Sequence, residues 1–544
     1  MTERVTQNNN FLILNWRFYA ALASFCLLTA LLFAYISTRF SNTSNWLSFF
    51  LVLIIMVGLS VLCWRLLQKE NLTMELGVVL IAAVLLRLAA GAFLYVALPV
   101  FGHNSPLETN GYVMADAGKR DQAAYLLAVS EKPLSTAFNT RRGIDQYGGM
   151  LFLSAFVYRY TGGISPDPAA HNPLLIVILT AFISSLAVCF LWAFTNRLWG
   201  MPTAMLSAFI LMVYPEAVLL GSSQMREAFM ITLTMTAFYG LIRFFQERTW
   251  SGGAWMLLAF IFSMLLSPPY AALLLVMLLI AAVPLYSLYP GEIRIPKKAI
   301  VLLLIIVAAG ITAGLWWSLR QFVPEGMSNP VAMLEWWFRK SASLQAQITR
   351  LESGWTQKAL RNMPEWTHLL LILAYGSIQP FLPAALIAGS LAKIWWVIAI
   401  WRAIGWFLLF PALVYAFVPA IKNKADNGFT LVLNLIVWAG ILIAAFRSGG
   451  DLWDNPRYRA AFVGLQIAIA SWAVITSRCT NDRWLKRIYI SIILILIWFL
   501  PWYLFRYYGI NWPVTDLYLT IALGIGTAFI YIILDWYIRK SDKK

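Results

Sequence analysis

Charged residues are scarce in this chain of 544 residues: Asp, Glu, Lys and Arg make up 12% of it, about half of the roughly 25% that soluble domains carry. That shortage excludes a water-soluble globular enzyme and a disordered chain alike. Cysteine is rarer still. Cys26, Cys63, Cys189 and Cys479 are the whole set, too few and too dispersed for a disulfide framework or a paired-Cys metal site, so they read as packing residues. The three histidines, His103, His171 and His368, lie near predicted helix ends, where a lone His is more often an interface residue than a ligand. Acidic residues number 24 against 41 basic ones, a net charge of +17. In a soluble protein such an excess would suggest nucleic acid. Here it is better explained by Lys and Arg collecting at the cytoplasmic ends of membrane helices, with a remainder for an anionic substrate; no nucleic-acid partner is expected. The sequence also lacks a Gly-rich phosphate loop ending in Lys-Ser or Lys-Thr, an HExxH and an Asp-x-Asp. These absences argue against an ATP-driven pump and against a sugar-nucleotide donor. The opening MTERVTQNNNFLILNWR has no short apolar region followed by a small-residue cleavage site, so the first apolar block is expected to stay as a helix.

What the chain has in abundance is apolar sequence, 61% of all residues, in blocks long enough to cross a bilayer core. Fifteen segments qualify: 17–38, 46–66, 76–100, 173–195, 201–220, 225–245, 254–267, 269–289, 299–319, 367–389, 394–419, 428–446, 459–477, 487–505 and 516–538. They are too long for membrane strands and show no alternation, so they read as helices. Two polar stretches, 101–172 and 320–366, interrupt them. Ala123, Tyr125 to Leu127 and Val129 suggest a short amphipathic helix at 119–131 in the first. Trp336, Trp337 and Phe338, followed by Arg339 and Lys340, suggest an interfacial helix in the second.

Basic residues set the expected orientation. Arg65 and Lys69, Arg243 and Arg248, Arg294, Lys297 and Lys298, Lys422 and Lys424, the group Arg478, Arg483, Lys486 and Arg487, and the tail Arg539, Lys540, Lys543 and Lys544 belong inside. Both long loops then face outward. Fifteen full crossings cannot satisfy every cluster, so one segment is expected to be re-entrant; 367–389, with Pro380 and Pro383, fits best. The expected fold is an all-α polytopic membrane protein of about 14 transmembrane helices with two extracytoplasmic loop regions carrying short amphipathic helices. Its parts are two additional N-terminal helices (1–75), a core carrying the first loop (76–320), the second loop (321–366) and a C-terminal region (367–544) with an outer turn at 447–458.

Three outward pieces carry candidate chemistry. Asp116 and Asp121 lie in the first loop, where a carboxylate at the membrane surface can take a proton from a hydroxyl, or can simply offset Lys119 and Arg120. Arg226 and Glu227 stand where a helix re-enters the membrane, a depth at which charges are paired or functional; Arg226 can pair with Glu216 or Glu227. Asp451, Asp454, Arg457, Tyr458 and Arg459 form the third piece. Its arginines can grip a phosphate by forked hydrogen bonds, while Asn455-Pro456 can start a helix. Arg87 is a lone intramembrane charge, a candidate partner for a loop carboxylate, and Arg402 can snorkel to an interface.

The order of these pieces resembles a known family. Arg87 in its helix leads to a loop with Asp-x-x-x-Tyr (Asp121 to Tyr125), then QYGGMLFLSAFVYRYTGG, a Pro-containing helix, SSQMREAF and a late RYR turn. This resembles the GT-C membrane glycosyltransferases, in particular bacterial enzymes similar to protein mannosyltransferases and aminoarabinose transferases. The resemblance covers about 76–250 and extends more weakly to 447–460. It implies a bacterial cytoplasmic-membrane enzyme with cytoplasmic termini and an extracytoplasmic active site. That enzyme moves a hexosyl or pentosyl group from a polyprenyl-phosphate donor to an extracytoplasmic glycan, lipid or protein acceptor. Asp121 is implied as the base, with Asp116 as the fallback. Arg87, Tyr125, Arg226, Glu227, Arg457, Tyr458 and Arg459 are implied on the substrate side. Gln122 stands where the family often has a second acid, which leaves a divalent metal ion open. An O-antigen polymerase or ligase type of transferase would place its large loop later in the chain. A lipid-linked-sugar transporter or flippase would show related halves, and none is visible.

Overall fold

The computed structural model describes residues 16–41, 43, 45–139, 147–161, 171–290, 360–389, 392–422, 426, 428–448 and 455–541, with isolated positions between 305 and 339. The expected segment 299–319, the second outer loop with Trp337 and Phe338, and Asp451 and Asp454 lie mostly or wholly outside the described residues.

The chain is an all-α polytopic membrane protein. In order, the principal helices are α1 (Trp16–Ser37), α2 (Trp46–Leu66), α3 (Met74–Phe101), α4 (Ala115–Val129), α5 (Gly149–Thr161), α6 (Leu174–Trp199), α7 (Met201–Val213), α8 (Pro215–Gly221), α9 (Arg226–Glu247), α10 (Trp250–Leu266) and α11 (Pro268–Leu288). After the second loop come α12 (Glu365–Ile378), α13 (Leu382–Ile387), α14 (Lys393–Tyr415), α15 (Phe429–Arg447), α16 (Val463–Cys479), α17 (Trp484–Tyr508) and α18 (Leu517–Ser541). Among the described residues 11 helices are long and apolar enough to cross a membrane, and the pair α7–α8, bent by 53°, makes up to 12. The shorter α10 is apolar over 17 residues. Segment 367–389 is divided into α12 and α13 rather than forming one straight helix.

Local chemistry marks the boundaries. Thr73 caps α3 by accepting from the Leu76 N–H at 3.3 Å, satisfying one of the donors a helix start leaves open. Gly200 separates α6 from α7 at φ 83, a left-handed backbone that a Cβ would strain. Pro215 ends α7 because it has no N–H to offer Leu211, four residues earlier.

Burial sorts the helices. α6 and α9 are buried along most of their length and form the centre. α17 and α18 pack mainly on each other and keep most of their apolar surface outward, as helices facing lipid do. One end of α9 carries Arg226 and Glu227; the other, about 33 Å away at 1.5 Å per residue, carries Arg243 and Glu247. At that far end Glu70 accepts from Arg197 at 2.6 Å and Tyr239 at 2.6 Å, and Glu247 accepts from Arg197 at 2.5 Å and Arg243 at 3.0 Å. This network pins the turn between α2 and α3 to α6 and α9, away from the candidate site.

Candidate active site

At the near end of α9, segments far apart in sequence meet. Arg457, in a short helix Asn455–Tyr458, donates through Nη2 to Asp116 Oδ2 at 2.8 Å and through Nε to Glu227 Oε1 at 3.1 Å. Both acids stand in the first turn of their helices, α4 and α9, where the partial positive charge of the helix start favours an anion. The two differ in access. The Asp116 side chain is 62% exposed, whereas Glu227 and Arg457 are 11% and 10% exposed. Burial pushes the Asp116 carboxyl upward, but the hydrogen bond and charge of Arg457, together with Arg120 and Arg226, outweigh it and hold the group below its ordinary range. Arg120 donates to the Gln224 carbonyl, and Arg226 lies over the Tyr147 ring at 5.0 Å. Three guanidinium groups, those of Arg457, Arg120 and Arg226, therefore gather at two carboxylates, Asp116 and Glu227, an arrangement suited to an additional anion.

Asp121 occupies a different environment from the exposed loop base expected of it. It is 1% exposed. Oδ2 accepts from Tyr112 Oη at 2.9 Å, Tyr158 Oη lies 2.9 Å from both carboxylate oxygens, and His171 Nε2 is 3.0 Å from Oδ2. Tyr125 packs edge-on against Tyr158 at 5.6 Å and tilted on His171 at 4.8 Å. Tyr125 thus closes the Asp121 cage.

Three further expectations are redrawn by the packing. Arg87 is fully buried and donates to the carbonyls of Ala83 at 3.0 Å, Leu211 at 3.2 Å and Met212 at 3.4 Å. It completes the α7 end that Pro215 leaves short of a donor, instead of pairing with a loop carboxylate. Gly221 makes room for it: a Cβ there would meet Arg87 Cδ at 2.8 Å and Nε at 2.9 Å. Glu216 pairs with Arg402 at 2.5 Å, both almost wholly buried, rather than with Arg226. Arg459, 1% exposed, stacks on Trp406 at 3.4 Å and donates to the Gln379 carbonyl at 2.7 Å. Two residues advance a helical turn by about 200°, which sends Arg457 and Arg459 to opposite sides and parts the expected arginine pair. Tyr458 lies under Arg447 at 5.5 Å.

Beside the charged cluster runs an apolar groove of about 400 Å³ between α3, α8 and α14, lined by residues including Phe93, Leu94, Leu219, Lys393, Ile394 and Ile398. Leu94, Leu219, Ile394 and Ile398 also belong to a buried cluster with Met114, Met225 and Ala460, chain neighbours of Asp116, Arg226 and Arg459. The adjoining loop is fastened to α14 by Glu108, which accepts from Trp395 Nε1 at 2.6 Å. Among the described residues no group of three or more His, Cys, Asp or Glu is placed to hold a metal ion. Asp116 and Glu227, bridged by an arginine, do not match the donor set of a closed divalent site.

Tyr112, Tyr158, Glu108, Lys393 and Trp395 do not stand out in the sequence, and His171, read there as an interface residue, stands instead against Asp121 and Tyr158. For Tyr158 a signal existed. Met150, Leu151, Ser154, Ala155 and Tyr158 form the buried stripe of α5 at helical spacing.

No family model matches the chain, and no curated protein matches it. Among solved structures it is similar to the archaeal oligosaccharyltransferase AglB from Archaeoglobus fulgidus, described in complex with an inhibitory peptide and a dolichol-phosphate. The TM-score is 0.36 and the identity 14%, over 85% of this chain and 56% of that one. The chain spans little more than half the length of that structure.

Proposed function

We propose that the protein is an integral membrane glycosyltransferase of the GT-C type, moving a sugar from a polyprenyl-phosphate donor to an acceptor outside a bacterial cytoplasmic membrane. The observation that carries this reading is the meeting of Asp116, Glu227 and Arg457 beside an apolar groove. A lipid-linked donor has two unlike ends, and the two neighbouring environments suit them: hydrocarbon for the chain, guanidinium groups for the phosphate. The exposed Asp116, held ionised by Arg457, is the better-placed base; Asp121 has its oxygens already engaged. In the reaction the acceptor oxygen bonds to the anomeric carbon and the bond from that carbon to the phosphate oxygen breaks. The hydroxyl proton passes to Asp116, and the departing phosphate keeps the electron pair. Arg457 and Arg226 stabilise that developing charge, while Glu227 holds Arg457 in place.

The test is transfer by the purified protein in lipid nanodiscs, with a panel of polyprenyl-phosphate sugars as donors. Acceptors come from comparing surface glycans, by mass spectrometry, in cells with and without the gene. Asp116→Asn is expected to lower transfer by about 10²- to 10⁴-fold, the range for a lost general base, while still binding donor lipid. Full activity in that variant would overturn the reading.

A further inference from the structure

The Asp121 carboxylate is held by Tyr112, Tyr158 and His171 together, and the proposed transfer reaction does not use it. Its four donors and walls come from four separate stretches: Tyr112 ahead of α4, Asp121 and Tyr125 on α4, Tyr158 on α5, and His171 just before α6. A carboxylate that is 1% exposed is tolerable only where hydrogen bonds replace its water. Here two hydroxyls and an imidazole do so. The Tyr112 and Tyr158 hydroxyls are pushed upward, first by burial and then by the Asp121 charge, so both remain protonated donors.

The spacing on α4 couples this cage to the candidate site. Asp116 precedes Asp121 by five residues, which places it about 140° around the helix and about 7.5 Å along it. One acid therefore faces the protein interior while the other faces Arg457. A slip of α4 by one residue would carry Asp116 through about 100° and 1.5 Å, breaking its 2.8 Å contact with Arg457.

Resting on the proposed function, we infer that Asp121 is a positioning residue: its buried carboxylate sets the rotation and height of α4 and so presents Asp116 to Arg457 and the acceptor. His171 and the two tyrosines are its anchors. Asp121 itself takes no proton from substrate.

The experiment compares Asp121→Asn, Tyr158→Phe, Tyr112→Phe and Asp116→Asn in nanodiscs by two readouts, transfer kinetics and amide hydrogen exchange. Misplacement of about 1 Å costs on the order of 100-fold in rate. Tyr158→Phe and Asp121→Asn are therefore expected to lower kcat by roughly 10- to 100-fold with KM little changed. Exchange is expected to rise over 112–129 and 149–161 but not in α6 or α9. Tyr112→Phe, the mildest change, is expected to do the same to a smaller extent. Asp116→Asn is expected to lower transfer by about 10²- to 10⁴-fold with exchange unaltered. If Asp121→Asn abolishes transfer with unaltered exchange, Asp121 is itself the base and the inference is wrong. It is also wrong if the cage variants leave kcat and exchange untouched, or raise exchange throughout the molecule. A fully active Asp116→Asn beside cage variants that loosen 112–129 would remove the proposed base while leaving the anchoring of α4 intact, so the two ideas fail separately.

Discussion

Arg457 serves two carboxylates that differ sharply in exposure, and this difference sets how the cluster responds to mutation. Its contact with Asp116 is a rim interaction, because that side chain is 62% exposed; such pairs contribute about 0.2–1 kcal/mol. Its contact with Glu227 joins groups only 10% and 11% exposed, and the second Glu227 oxygen, Oε2, has no hydrogen-bond partner. Removing the cation leaves a buried carboxylate with no counterpart at its Oε1, a change that costs about 3–5 kcal/mol. Arg457→Ala is therefore expected to destabilise the protein by about 3 kcal/mol, the lower end, because Arg226 is the adjacent residue. Asp116→Asn is expected to lose less than about 1 kcal/mol. The informative variant is the double one. In Glu227→Gln with Arg457→Ala the stranded charge is gone, so most of the loss should be recovered and the cycle should show a coupling of about 2 kcal/mol. Reversible unfolding in mixed micelles, titrated with a denaturing detergent, measures all four members. Strictly additive losses, or an Arg457→Ala variant no less stable than Asp116→Asn, would refute the reasoning.

Two other outcomes follow from the same geometry. Arg87→Met keeps the length of the side chain but leaves the Leu211 and Met212 carbonyls without their donors; at about 1–3 kcal/mol for each buried unsatisfied group, the same unfolding assay should register a loss of at least about 2 kcal/mol, and a variant as stable as the parent would exclude the capping role. Because Arg457 holds Asp116 below the ordinary carboxylate range, the acid limb of kcat/KM should lie below about pH 4; in Arg457→Gln the lowering contact is lost and the upward push of burial remains, so the limb of the residual activity should move to higher pH, and an unmoved limb would separate Asp116 from catalysis.

The membrane architecture was legible because apolar runs of bilayer length carry their own meaning. The helix predicted at 119–131 exists but begins earlier, at Ala115. That shift decided the ranking of the two acids. Ala117, Asp121, Ala124, Tyr125 and Ala128 form one buried stripe of α4 at helical spacing. Read in that phase, the sequence already turns Asp121 inward and leaves Asp116 at the start of the helix. The roles of Arg87 and Arg459 were not legible, because the contacts that tie them to other helices are to backbone carbonyls of distant segments, which leave no trace in side-chain identity. Arg457 and Glu227 were recoverable as charges at a membrane boundary, although their mutual contact was not.

The cap that Arg87 places on the end of α7 makes two remote residues answer for one another. Pro215 withholds a proton donor and Arg87 supplies it from another helix, so neither has a reason to persist without its counterpart. In descendants of this chain the two should be kept or lost together: a lineage that straightens the bend by discarding the proline frees the guanidinium in the apolar interior, where an aliphatic side chain would then serve better.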